Sequence, residues 1–99
     1  MSDAGGRTAP GALKRSLPIG NKRGLHARAA AKFVRTAGQF DAAIRVAFKG
    51  QEVSGLSIMG LMMLAAGIGS SIDLTCSGRQ AGEAMDALAT LVEGKFGEE

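Results

Sequence analysis

Two runs of this chain alternate apolar and polar residues with a period of two, and two others repeat apolar residues at helical spacing. Ile44, Val46 and Phe48 alternate with Arg45, Ala47 and Lys49, and Ile72, Leu74 and Cys76 alternate with Asp73 and Thr75. Successive strand side chains point to opposite faces, so each run reads as a half-buried strand. Ala27, Ala30, Ala31, Val34 and Ala37 recur every three or four residues, as do Ala81, Ala84, Met85, Leu88, Leu91 and Val92. Each set predicts an amphipathic helix. With 99 residues there is room for one modest core. Strands and helices must share it.

Weaker signals fill the gaps. Leu13, Leu17 and Ile19 fall on one face of a first strand, which Arg15 interrupts and Pro18 brings to an end. Residues 20–24 form a loop, and Gly38 is a natural stop for the helix that follows it. Lys49 and Gly50 suit a tight turn into a short strand near residues 51–54. Ser57 can cap a short helix running to about Leu64, and Gly67 and Gly69 mark the next turn. The order is therefore βαββαβα, an α+β chain in which each helix has one apolar face. Such helices should cover the same side of a four-stranded sheet. Residues 1–11, rich in Gly, Ala and Ser, are expected to be a disordered extension before a folded domain at 12–99.

Composition narrows the chemistry. A single Cys76 leaves no internal disulfide, and one histidine beside it supplies no zinc ligand set, so neither metal nor cofactor is expected. Cys76 lies in an alternating run and reads as a buried thiol. The first residues lack the apolar centre of a signal peptide. The longest apolar stretch, residues 56–69, is broken by Ser57 and glycines and is shorter than the roughly 20 residues a spanning helix needs. A cytoplasmic protein without membrane contact is the expectation. Charge is lopsided: residues 1–49 carry +8 and residues 50–99 carry −5. Such a basic half steers acidic or phosphorylated partners, or nucleic acid. Sheet-based RNA readers stack bases on exposed aromatics, however, and this chain offers only Phe33, Phe40, Phe48 and Phe96. A small basic nucleic-acid-binding module is thus the remote alternative.

The lone histidine stands in Gly24-Leu25-His26-Ala27-Arg28, directly before the first helical run. A helix start presents unpaired N–H groups and a partial positive charge, which together suit an anion. A histidine there can carry a phosphoryl group on a ring nitrogen while the donors hold its oxygens. The ring must be neutral to attack, and the helix end and Arg28 both disfavour a second positive charge. A polar helix start is the plainer role for such a residue, and the rest of the chain argues against it.

The pentapeptide resembles the active-site segment of HPr, the small histidine phosphocarrier of the bacterial phosphoenolpyruvate-dependent phosphotransferase system. Ser57-Ile58-Met59-Gly60-Leu61-Met62, with its serine 31 positions after His26, is similar to that family's regulatory serine and short helix. The likeness runs from about Leu13 to about Phe96. It implies an open-faced β-sandwich, with the strands in the order first, fourth, second, third, antiparallel pairing and three helices on one face. It implies a phosphocarrier rather than an enzyme, a covalent intermediate phosphorylated on Nδ1 of His26 by enzyme I and discharged to IIA-type domains in sugar transport. Arg28 would stabilise the phosphate. The family usually has proline where this chain has Ala29. Alanine fits the first turn equally well and restores an N–H donor, leaving only fine geometry and partner preference in question.

The resemblance also implies phosphorylation of Ser57 by an HPr kinase/phosphorylase, although a serine at that place is equally suited to capping alone. Ile58, Met59, Leu61, Met62 and Met63 cannot all face inward from a short helix, and at least two are expected in the core. Ile58, Met59 and Met62, with the basic stripe of Arg28, Lys32 and Arg35, are the expected docking surface of a monomeric carrier. A regulatory relay in nitrogen or carbon signalling, without sugar uptake, is the nearer alternative.

Overall fold

The structure, a computed structural model, describes residues 12–98. The expected extension at residues 1–11 lies outside the described residues. Strands β1 (Leu13–Pro18), β2 (Ala43–Phe48), β3 (Gln51–Ser54) and β4 (Ser71–Ser77) form one antiparallel sheet in the order β1-β4-β2-β3. Helices α1 (Ala27–Ala37), α2 (Ile58–Leu64) and α3 (Ala81–Glu93) complete the βαββαβα order, and a 3-10 turn, Lys95–Gly97, follows α3.

Register explains why one face of the sheet is buried. Leu17 pairs with Ile72, Val46 with Leu74, and Ile44 with Cys76, so the apolar positions of three strands form one contiguous row. All six are buried, with Phe33, Leu61, Leu88 and Val92 from the helices packed in the same core. Full burial of each large aliphatic or aromatic side chain is worth about 1.5–3 kcal/mol. On the opposite face the same registers align Lys14, Thr75 and Arg45, and Ser16, Asp73 and Ala47. Burial drives the Cys76 thiol up to about 11, so it stays protonated and inert. No helix among the described residues is long and apolar enough to cross a membrane.

Three sequence expectations change. Leu13 is 41% exposed, at the free corner of edge strand β1, so only Leu17 and the following Ile19 are buried there. The core face of α1 is Ala29, Ala30, Phe33 and Ala37, and Ala27 is exposed. Counting alanines misplaces this face, because Phe33 contributes by far the largest apolar side chain and turns the helix toward itself. The third correction concerns α2. Of its five apolar residues in question only Leu61 is buried; Ile58, Met59, Met62 and Met63 are all exposed. A helix of seven residues buries a single narrow stripe, and Leu61 and Leu64 fill it.

Candidate functional site

The loop before α1 is shaped by Gly24. Its φ is +61°, and a Cβ added there would lie 2.4 Å from the Ala66 carbonyl oxygen. Only glycine tolerates both conditions. The close approach lets the Leu25 N–H donate to Ala66 O at 3.0 Å, fastening this loop to the segment that follows α2. Leu25 is buried and His26 is thereby delivered to the start of α1 in an extended conformation.

His26 is the N-cap residue of α1, and its side chain makes no capping hydrogen bond. The first intrahelical bond is Ala30 N–H to His26 O, at 2.9 Å. The N–H groups of Ala27, Arg28 and Ala29 precede it and lack intrahelical acceptors. The first turn carries no acidic residue. An anion therefore meets three donors and the positive end of the helix dipole. Arg28 is exposed on that turn and forms no ion pair among the described residues.

The ring itself points elsewhere. Its Nε2 lies 2.6 Å from Glu98 Oε2, and both side chains are largely buried, at 16% and 14% exposure. An ionised carboxylate has no proton to give, so Nε2 is the donor. The buried Asn21 Nδ2 donates to Gly24 O at 2.9 Å and to the other Glu98 oxygen, Oε1, at 3.1 Å. Two acceptors fix the amide's orientation, and they leave Asn21 Oδ1 buried without a partner among the described residues. Burial tends to raise the Glu98 carboxyl, but the hydrogen bonds from His26 and Asn21, with the charges of His26 and Lys32, outweigh it. The carboxyl sits below its ordinary value.

Glu98 reaches His26 because the chain after α3 turns back sharply. Lys95, Phe96 and Gly97 all have positive φ, at 58°, 55° and 74°. Two non-glycine residues in that region are strained, and the strain is held by contacts on either side. The Phe96 ring is fully buried, and its carbonyl accepts from Lys32 Nζ at 2.6 Å. Lys32 is thus half-buried and tied to the C-terminal turn, which removes it from the open basic stripe and leaves Arg28 and Arg35 exposed.

Ser57 occupies the matching place on α2. Its Oγ accepts from Gly60 N–H at 2.9 Å, the cap expected from the sequence. Leu56, Ile58, Met59, Met62 and Met63 expose apolar surface around it. A surface groove between β3 and α2, lined by Gln51, Glu52, Val53, Gly60, Met63 and Leu64, includes neither His26 nor Arg28.

Asn21, Glu98 and Phe96, whose carbonyl is the partner of Lys32, were not legible as parts of this site. Phe96 gave a faint signal as an apolar residue four positions beyond Val92. Glu98 gave none, being 72 residues from His26.

Comparison with known proteins identifies the family. Residues 13–94 match the family described as the PTS HPr component phosphorylation site. The chain is 50% identical to the phosphocarrier protein HPr of Cupriavidus necator, over 87% of this chain and 97% of that one. It is 44% identical to the phosphocarrier protein NPr of Shewanella violacea, over 87% and 94% respectively. A crystal structure of HPr from Thermoanaerobacter tengcongensis superposes with a TM-score of 0.84 at 44% identity, covering 88% of this chain and 98% of that one. The chain belongs to the HPr family, the phosphocarrier component of the phosphotransferase system.

Proposed function

We propose that His26 is the residue that carries the phosphoryl group, taking it from phosphorylated enzyme I and passing it to IIA-type domains. The observation that carries this reading is the open end of α1: a histidine N-cap whose ring leaves the first three N–H groups uncapped. In the acceptor step a His26 ring nitrogen attacks phosphorus, the donor N–P bond breaks, and its electron pair stays on the donor's nitrogen. The phosphoryl oxygens then lie against helix donors and within reach of Arg28, which supplies charge without reacting. Incubation with phosphoenolpyruvate and enzyme I is expected to label wild type and to leave His26→Ala unlabelled. Arg28→Ala keeps the fold and labels more slowly. Equal labelling of wild type and His26→Ala would overturn the reading.

Ser57 is the proposed regulatory site, modified by a serine kinase of the HPr kinase/phosphorylase type. A phosphate on its Oγ would bring about −1.5 to −2 charges to the start of α2. The exposed Ile58, Met59 and Met62, with Arg28 and Arg35, form the proposed docking face for acidic partners. Charge complementarity and adaptable methionines support it. The carrier works as a cytoplasmic monomer in this reading, and sedimentation at micromolar concentration checks the oligomeric part. A second reading keeps the same acceptor and places it in a regulatory relay rather than beside a sugar permease; relatives named HPr and NPr are both phosphocarriers. Transfer to purified IIA domains of each kind separates the two.

A further inference from the structure

The contact between the C-terminal turn and His26 deepens that reading, and the argument rests on His26 being the phosphoryl carrier. We infer that Glu98, held by Asn21, is a positioning residue that occupies Nε2 of His26 and so directs phosphoryl transfer to Nδ1. The geometry contains its own logic. Glu98 uses one carboxylate oxygen for Asn21 Nδ2, at 3.1 Å, and the other for His26 Nε2, at 2.6 Å. Whether the ring holds one proton or two, the one on Nε2 is retained by a short bond to an anion. Nδ1 has no hydrogen-bond partner among the described residues and is the nitrogen left to lose its proton and attack.

Burial adds a steric term. With both side chains about 15% exposed and stacked end to end, a phosphorus atom has no approach to Nε2 unless Glu98 leaves. Charge works in the same direction. When Nδ1 bonds to phosphorus, the ring keeps its Nε2 proton and becomes cationic, and the carboxylate lies beside the charge as it develops. Asn21 fixes where that carboxylate sits. Phe96 and Lys32 hold the turn that presents it. The arrangement is a carboxylate orienting an imidazole whose other nitrogen reacts, built here from residues 72 positions apart.

Phosphoramidate tests this without any protein partner, because it donates phosphoryl directly to imidazole with loss of ammonia. Phosphorus NMR distinguishes the Nδ1 and Nε2 products. Wild type is expected to give the Nδ1 product alone. Glu98→Ala, which leaves the Phe96 anchor in place, is expected to give Nε2 product as well. Nitrogen NMR of the unmodified wild-type ring should show Nε2 protonated and Nδ1 bare. Exclusive Nδ1 product in Glu98→Ala, or a wild-type ring protonated on Nδ1, would overturn the role of Glu98 and leave the carrier reading standing. A wild type that takes no label from phosphoramidate or from enzyme I would instead remove the carrier reading itself.

Discussion

Helices α1 and α2 begin in the same way, with a polar residue in extended conformation at the N-cap, and their first turns nonetheless behave oppositely. At α2 the cap is local: Ser57 Oγ turns back three residues to the Gly60 N–H. At α1 the cap side chain turns away, toward a carboxylate 72 residues distant, and the first donors stay open. A self-capped helix end has a donor of its first turn already satisfied. An uncapped one, with its histidine held from behind, is arranged to receive an anion. The difference lies in what the rest of the chain brings to each end, not in the helices.

The sharpest way to break this contrast is to remove the distant support. Phe96→Ala should cost about 3–5 kcal/mol, because it empties a fully buried aromatic site. Chemical denaturation measures that loss. In the folded fraction the His26 ring signals should move with the released turn, while the Gly60 amide should not. Equal disturbance at both ends would mean that the two sites are not independently supported.

A smaller effect is expected from the local cap. Ser57→Ala should cost roughly 0.5–2 kcal/mol by thermal or denaturant unfolding, and transfer through His26 should persist. Ser57→Asp keeps a capping oxygen and adds charge, so its stability should stay near wild type. Its phosphorylation by enzyme I should nevertheless slow, and the deficit should shrink at high salt as screening weakens the repulsion. An aspartate variant that transfers like wild type at low salt would reduce Ser57 to a cap.

The subtlest expectation is a titration. Glu98 is depressed in the folded protein, so its contribution to stability is present above about pH 4.5 and is lost as pH falls through its lowered value. Carbon NMR of its carboxyl should show protonation below the usual 4.5 in wild type and a shift back toward that value in His26→Ala. An unchanged midpoint would show that the ring exerts no hold on the carboxylate.

Local physics made much of this legible beforehand. The alternating runs located β2 and β4, and the Lys49-Gly50 turn and the Ser57 cap stand where short-range rules place them, since each involves neighbours in sequence. The core face of α1 was misread because alanine carries little apolar weight and Phe33 decides the orientation. Composition alone puts at least two of Ile58, Met59, Leu61, Met62 and Met63 in the core, yet a two-turn helix has one inward stripe and Leu61 and Leu64 occupy it. The places of His26, at the start of α1, and of Arg28, on its first turn, follow from the helical run beside them. Those of Asn21 and Glu98 do not, because their role exists only after β1, α1 and the C-terminal turn are brought together by the core.

The most direct test is to charge the wild-type protein with phosphoenolpyruvate and enzyme I, then map the phosphate by peptide. One acid-labile, alkali-stable phosphate is expected on the peptide that contains His26, and none on the peptide that contains Ser57. An acid-stable phosphate on Ser57, or label on any peptide without His26, would contradict the division of roles between the two helix ends.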